Sequence, residues 1–228
     1  MGSSVSPRQL VLALNHATSF AREDFLRGPS NNAALTLIER WPDWPNRVVA
    51  LIGPEGSGKS HLAAIWAESS GARVLASKLL TQIDPLSALA TGALVVEDLE
   101  PDGTDDERAL FHLINLAREQ DAFLLVTARS PVAGLPLTIR DLVSRLRALP
   151  SVALEAPDDA LLRALIVKHA ADRQLALDET LVNYLANRIE RSFAGARAAI
   201  ERLDQEAMRQ HRPVTRALAA EIFRGQIV

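Results

Sequence analysis

The apolar positions of the chain follow two different patterns on the two sides of residue 157. Before that residue, short continuous apolar runs alternate with segments of helical periodicity. The runs span residues 48–52, 73–76, 93–96, 123–126 and 152–154. Continuous rather than alternating apolar character predicts strands that are buried on both faces. Strands separated by helical segments predict a parallel α/β sheet that lies between helices.

Helical segments are recognised by apolar residues at three- and four-residue spacing. Residues 105–120 have this spacing and predict an amphipathic helix. After residue 157 only helical spacing remains, and three residues there are of types that cap helix N-termini: Asp158, Asp178 and Thr215. The pattern predicts an N-terminal tail (residues 1–20), an α/β domain (21–156) and a small all-helical domain (157–228).

Composition narrows the class of protein. Of the 228 residues, 48% are hydrophobic and 23% are charged, as in ordinary globular proteins. A net charge of -3 gives no electrostatic reason to expect non-specific DNA binding. The absence of Cys excludes disulfides and thiolate metal sites. Neither a membrane span nor a secretory signal is recognised, so a cytoplasmic protein is expected.

One segment matches a nucleotide-binding motif in full. Residues 53–60 read Gly-Pro-Glu-Gly-Ser-Gly-Lys-Ser, which fits G-x-x-x-x-G-K-[ST] between a predicted strand and a helical run. Its glycines let backbone N–H groups wrap a phosphate chain at a helix N-terminus. Lys59 is expected to reach the β- and γ-phosphates, and the Ser60 hydroxyl to hold Mg²⁺. The predicted nucleotide contacts are Gly53, Gly56, Ser57, Gly58, Lys59, Ser60 and His61.

Polar residues follow two further strands and one short helical segment. Glu97 is expected to hold Mg²⁺, and Asp98 to polarise the attacking water. Thr127 is expected to sense the γ-phosphate or to orient water, although a hydroxyl that merely ends a strand is the alternative. Arg145, within residues 141–146, is expected to complete the active site of a neighbouring subunit. The alternative for Arg145 is a solvated helix face.

The order of these motifs resembles that of AAA+ proteins. The P-loop, the acidic strand end, the polar strand end, the Leu-x-Ser-Arg-Leu box and a helical lid follow one another in that order. Asp24-Phe25 and the run Gly-Pro-Ser-Asn-Asn at residues 28–32 resemble the entry motif of the DnaA clade, which lies beside the adenine. The chain is identified as a member of the DnaA/Hda family from about residue 9 onwards. This resemblance implies an AAA+ P-loop domain with a helical lid, which binds ADP or ATP with Mg²⁺.

The N-terminal tail contains a second resemblance to this family. Residues 9–14, Gln-Leu-Val-Leu-Ala-Leu, resemble the sliding-clamp-binding peptide of its Hda members. In an extended peptide, Gln9 would bind in a polar pocket, and an apolar pocket would take Leu10, Leu12 and Leu14. From the residues alone, an edge strand or a leader segment stays open. Val11 and Ala13 depart from the usual small or acidic residue and the usual Pro.

The lid and the acidic pair also depart from the family pattern. By alignment of residues 192–194, Ala194 stands where DnaA-type lids carry an Arg that contacts the phosphates. Arg197 lies one helical turn later, so either it substitutes or the lid lacks this contact. Glu97-Asp98 replaces the usual Asp-Asp, which predicts weak intrinsic hydrolysis.

The resemblance implies a regulator of replication initiation. Such a protein binds adenine nucleotide, docks on the DNA-loaded sliding clamp and stimulates hydrolysis of ATP bound to DnaA, which limits re-initiation. Its expected partners are DnaA and the clamp, and AAA+ interfaces also allow homo-oligomers. No helix-turn-helix follows the lid, so sequence-specific DNA binding is not expected. The alternative is an autonomous AAA+ ATPase of the helicase-loader or DnaA-like initiator type, which needs no clamp peptide.

Overall fold

A parallel five-stranded sheet is the centre of the N-terminal part of the protein. The computed structural model describes residues 20–224, so the expected clamp-binding peptide at residues 9–14 lies outside the described residues. The strands are β1 (Val48–Ile52), β2 (Arg73–Ala76), β3 (Ala93–Glu97), β4 (Phe123–Ala128) and β5 (Ser151–Ala153). Their order in the sheet is β2-β3-β4-β1-β5, and every pair is parallel. The predicted parallel α/β sheet is confirmed.

Helices cover both faces of this sheet. They are α1 (Asn32–Glu39), α2 (Lys59–Ser70), α3 (Pro85–Ala88), α4 (Thr104–Glu119) and α5 (Arg140–Arg147), with short 3-10 helices at Arg22–Asp24, Ser77–Gln82 and Val132–Gly134. Successive residues of a strand point to opposite faces. Val49 and Leu51 therefore pack with α1 and α2, whereas Val48 and Ala50 pack with α4 and α5. The predicted amphipathic helix at residues 105–120 is confirmed as α4.

The prediction of two-sided burial was wrong for the two edge strands. β1, β3 and β4 are almost fully buried, as their apolar runs predicted. In β2, however, Arg73 and Val74 are exposed, and in β5 Ser151 and Ala153 are exposed. The two apolar cores are centred on the three inner strands. Because an edge strand has a neighbour on one side only and lies at the margin of both cores, part of it stays exposed.

Four helices form the C-terminal lid around a third apolar core. They are α6 (Asp159–Asp172), α7 (Glu179–Ala186), α8 (Phe193–Gln210) and α9 (Arg216–Ile222). The three predicted N-caps are confirmed, because the side chains of Asp158, Asp178 and Thr215 each accept a backbone N–H in the first turn. Ser192 caps α8 in the same way. Between β5 and residue 224 the chain forms no further strand, as predicted.

Within residues 20–224, no helix combines the length and the apolar character that crossing a membrane requires.

Candidate nucleotide-binding site

The glycine-rich segment connects β1 to α2 at the carboxyl edge of the sheet. The N–H of Gly53 donates to the carbonyl of Ala128 at 3.1 Å, which ties the start of the loop to the end of β4. Gly56 and Gly58 have φ values of 70° and 98°, in the left-handed region that favours glycine. Lys59 begins α2, so the loop leads into a helix N-terminus. This geometry is suited to binding an anion.

Lys59 points into the loop that precedes it. Its side chain is buried, at 5% exposure, and Nζ donates to the carbonyls of Gly53 at 2.8 Å and Pro54 at 2.9 Å. Burial is the main cause that lowers the pKa of Lys59, and the charge of Asp98 opposes it. Both carbonyl partners are neutral, so phosphate oxygens would be stronger acceptors for this ammonium.

The loop also has hydrogen-bonding capacity that the protein does not use. The Oγ of Ser57 is buried and has no hydrogen-bond partner, which is uncommon for a buried polar atom. A Cβ at Gly53 would lie 2.6 Å from the carbonyl of Leu154, so the loop leaves no room for a side chain there. Ser60, in the first turn of α2, is exposed. The loop and its donors therefore fit a phosphate chain, with the Ser60 hydroxyl available to a cation.

The acidic pair and Thr127 lie at the same edge of the sheet. The backbone N–H of Asp98 donates to the Thr127 hydroxyl at 3.0 Å, which joins the ends of β3 and β4. Thr127 is buried, and this hydrogen bond gives its hydroxyl a structural partner. A contact of the hydroxyl with the γ-phosphate or with water stays a prediction. The carboxylates of Glu97 and Asp98 both act on the pKa of Lys59, which they raise against the effect of burial. These predicted catalytic residues are thus within electrostatic range of the P-loop.

The entry segment, which comprises Asp24-Phe25 and residues 28–32, lies between the P-loop and the lid. The Phe25 ring is buried, and a Cβ on Gly58 would lie 3.3 Å from it. Its centre is 5.2 Å from that of the His61 ring and 6.4 Å from that of Phe193 in α8. Burial lowers the pKa of His61, whose Nε2 lies 3.0 Å from the carbonyl of Ala21.

Three further polar contacts involve the entry segment. Asp24 forms an ion pair with Lys168 of α6, with 2.8 Å between Oδ1 and Nζ. The buried Asn31 side chain accepts the N–H of Gly28 at 2.9 Å and donates to the carbonyl of Leu26 at 2.9 Å. The structure thus brings the segment that the sequence associated with adenine against both the P-loop and the lid.

The lid contacts the P-loop directly through the start of α8. The N–H of Phe193 donates to the carbonyl of Gly56 at 3.0 Å. A Cβ on Gly56 would lie 2.6 Å from the Cβ of Ala194. The position expected for a lid arginine is therefore a methyl group in contact with the loop. Arg197 is exposed, and its charge adds to the effect of burial, the main cause that lowers the pKa of His169 in α6.

Arg145 lies on α5, away from the helix that follows the P-loop. α5 and α2 pack on opposite faces of the sheet. The Arg145 guanidinium lies over the Phe111 ring of α4, 5.2 Å from its centre. The structure therefore brings the P-loop, acidic and entry residues together, and it places α5, which carries Arg145, on the sheet face opposite α2.

Comparison with known proteins shows similarity to Hda and DnaA. A family model described as Hda, lid domain, matches residues 158–222. The chromosomal replication initiator protein DnaA of Thermomicrobium roseum is 24% identical over 258 aligned residues, which cover 98% of this chain and 54% of that protein. The C-terminal part of the chain thus matches the Hda lid family, and the chain as a whole is similar to DnaA. It spans about half the length of the curated relatives that it matches.

Solved structures of DnaA share the fold of this chain. Domain III of the Thermotoga maritima replication initiation protein DnaA superposes with a TM-score of 0.76 at 20% identity, covering 91% of this chain and 97% of that one. AMPPCP-bound DnaA from Aquifex aeolicus superposes with a TM-score of 0.67 at 17% identity, covering 82% and 65%. The predicted AAA+ domain with a helical lid is confirmed.

Two charged residues that the structure places in or near the site and its supporting helix were not singled out from the sequence. Arg129 follows β4 and forms ion pairs with Glu55 of the P-loop and with Glu100. Its position two residues after Thr127 was the available signal. Glu107 is a buried carboxylate in α4, and no sequence signal distinguished it from its acidic neighbours in the first turn of that helix.

Proposed function

We propose that this Hda/DnaA-related chain binds adenine nucleotide and regulates replication initiation by stimulating hydrolysis of ATP bound to DnaA. The observation that carries the first part is the buried Lys59 ammonium, which points into a glycine-rich loop whose Ser57 hydroxyl has no partner. The fold shared with AMPPCP-bound DnaA from Aquifex aeolicus supports an adenine nucleotide.

Different residues of the chain would bind different parts of the nucleotide and its cation. Backbone N–H groups of the loop and Lys59 would hold the phosphates, and Phe25 and Asp24 would lie beside the base. Ser60 and Glu97 would hold Mg²⁺, which when bound neutralises charge on the phosphate oxygens. Asp98 would orient a water molecule, and Thr127 would sense the last phosphate.

Arg145 would act on the nucleotide of a partner. It lies on the sheet face opposite α2, and its guanidinium is partly exposed beside Phe111. A guanidinium beside a transferring γ-phosphoryl group neutralises charge that develops in the transition state and accelerates hydrolysis by about 10³–10⁵. We propose that the partner is DnaA, whose ATP is converted to ADP, so that re-initiation is limited.

Residues 9–14 would bring the chain to the DNA-loaded sliding clamp. The proposal rests on the sequence of this peptide, with Gln9 as the polar anchor and Leu10, Leu12 and Leu14 as the apolar ones. Docking there would let the chain stimulate hydrolysis of DnaA-bound ATP at the DNA-loaded clamp.

The test is hydrolysis of DnaA-bound ATP in the presence of DNA-loaded clamp. Arg145→Ala should abolish stimulation, whereas Arg147→Ala, an exposed arginine of the same helix, should retain it. Deletion of residues 9–14 should abolish stimulation on the clamp and leave nucleotide affinity unchanged. Full stimulation by Arg145→Ala would overturn the proposed action on DnaA.

The second candidate function is that of an autonomous AAA+ ATPase. It is favoured by the Glu97 and Asp98 carboxylates, which lie close enough to Lys59 to act on its pKa. The two functions are separated by steady-state ATP turnover of the isolated chain. We expect slow turnover that Glu97→Gln abolishes, with no effect of deleting residues 9–14. Fast turnover without DnaA or clamp would favour the autonomous ATPase.

A further inference from the structure

Arg129 leaves the sheet between the two halves of the proposed nucleotide site. It directly follows Ala128, whose carbonyl accepts the N–H of Gly53 at 3.1 Å. β4 lies between β1, which leads into the P-loop, and β3, which ends at Glu97. A terminal phosphate held by Lys59 on one side and by a cation at Glu97 on the other would therefore lie next to the end of β4.

The present partners of Arg129 are two exposed carboxylates. Its Nη1 lies 3.1 Å from the Glu55 carboxylate, and its Nε lies 3.6 Å from that of Glu100. The Arg129 side chain is itself 47% exposed. Ion pairs at this exposure stabilise a protein little, because water screens them. A phosphate can therefore replace either carboxylate without breaking buried structure.

Arg129 also acts on the P-loop lysine. Burial is the largest cause of the lowered pKa of Lys59, and among the charged groups Arg129 contributes in the same direction. The two cations are thus within electrostatic range of each other, and an anion between them would relieve their repulsion. At its contact with Gly56, the lid has the methyl group of Ala194 at the position where DnaA-type lids carry an arginine. The cation Arg129 therefore belongs to the sheet domain and not to the lid.

We propose that Arg129 binds the γ-phosphate of ATP, so that β4 contributes the second cation of the phosphate site. The inference rests on the proposed binding of adenine nucleotide at the P-loop. The planar guanidinium would exchange its bonds to Glu55 and Glu100 for a bidentate contact with phosphate oxygens. Because ADP lacks the γ-phosphate, Arg129 makes the site distinguish ATP from ADP.

The experiment is calorimetric titration of the full chain with ADP and with AMPPCP, a non-hydrolysable analogue of ATP. Arg129→Gln should weaken AMPPCP binding about tenfold or more and change ADP binding less than about twofold. Arg129→Lys keeps the charge and loses the planar fork, so its affinity for AMPPCP should lie between those of the wild-type protein and of Arg129→Gln. Arg108→Gln, an exposed arginine of α4 paired with Asp105, is the matched control and should change neither affinity.

Arg129 could also favour ATP only by neutralising the charges of Glu55 and Glu100. Measuring the effect of Arg129→Gln in a protein that lacks both charges separates this alternative from phosphate binding. In a Glu55→Gln, Glu100→Gln protein, Arg129→Gln should still weaken AMPPCP binding by about the same factor. If the loss disappears there, Arg129 only shields phosphate from the carboxylates, and the proposal is overturned. Equal losses for ADP and AMPPCP, or no loss for either, also overturn it.

Failure of the underlying function gives a different result. If the wild-type chain binds neither nucleotide, or if Lys59→Ala leaves both affinities unchanged, the proposed P-loop function fails. Normal wild-type binding that Lys59→Ala abolishes and Arg129→Gln leaves untouched overturns only the role of Arg129.

Discussion

The carboxylate of Glu107 accepts the backbone N–H of Thr138, which lies 31 residues later in the chain, at 2.9 and 3.0 Å to its two oxygens. The N–H of Ile139 donates to the same carboxylate at 2.8 Å. Ile139 is the N-cap residue of α5 and has no side-chain cap of its own. A buried carboxylate of α4 thus caps the helix that contains Arg145, where its charge also favours the helix dipole.

Removal of the Glu107 carboxylate should destabilise the protein and displace α5. Glu107→Ala should lower the free energy of unfolding by about 2 kcal/mol, because charge-assisted hydrogen bonds are lost at a buried site. Urea unfolding measures this change. Glu119→Ala, an exposed residue at the end of α4, should cost less than about 0.5 kcal/mol. Equal costs for the two variants would contradict the capping role.

The titration of His169 should make stability depend on pH. Burial is the main cause, and the charge of Lys168 the next, that lowers the pKa of His169 from 6.5 to about 4. Between these values the unfolded chain binds a proton that the folded chain does not. The free energy of unfolding should therefore fall as pH decreases through this window, and recover as pH rises.

The size of this effect can be isolated with one variant. After allowance for partial solvent exposure of the ring, His169 should account for about 2 kcal/mol of the loss between neutral pH and pH 4. His169→Gln should remove that part of the pH dependence, as measured by urea unfolding at several pH values. The hypothesis fails if the wild-type and variant proteins lose the same stability over this range.

The contact between the lid and the P-loop can be tested by comparing alanine substitutions at Gly56 and at Gly71. Their φ values are 70° and 68°, so alanine is strained at both by about 1–2 kcal/mol. Only at Gly56 would the new Cβ meet the lid, at 2.6 Å from Ala194, whereas nothing lies within 4 Å at Gly71. Gly56→Ala should therefore cost about 1–3 kcal/mol more than Gly71→Ala in thermal or urea unfolding.

The ADP affinities of the same two variants are a second, independent test of this contact. Gly56→Ala should weaken ADP binding, because the loop or the start of α8 must shift. Gly71→Ala should leave ADP affinity unchanged, since Gly71 lies at the far end of α2. Similar stability and affinity for the two variants would mean that the lid accommodates a side chain at Gly56.

The ion pair between Asp24 and Lys168 should couple the entry segment to the lid. Lys168 Nζ lies 2.8 Å from the carboxylates of both Asp24 and Asp172. Burial lowers the pKa of Lys168, but the two carboxylates outweigh it and the net pKa is raised. A double-mutant cycle of Asp24→Asn and Lys168→Met should give a coupling energy of about 1 kcal/mol in unfolding. A coupling of zero would exclude a contribution of this pair.

Much of this protein could be predicted from short segments of sequence. The P-loop at residues 53–60 was recognisable because its glycines, lysine and serine are contiguous, and β1 before it is apolar throughout. The N-caps Asp158 and Asp178 were predictable because a cap and the N–H that it accepts lie within one helical turn. Where the determinants are local, the amino-acid pattern was sufficient to assign the fold class and the motifs.

Only the tertiary structure decided the relationships between distant segments. The burial of Glu107 against Thr138, the pairing of Arg129 with Glu55 and the contact of Ala194 with Gly56 join residues far apart in the chain. The exposure of β2 likewise depends on its place at the edge of the sheet. Such features follow from strand order and from which helix faces pack together, and neither is encoded in the spacing of residues within one element.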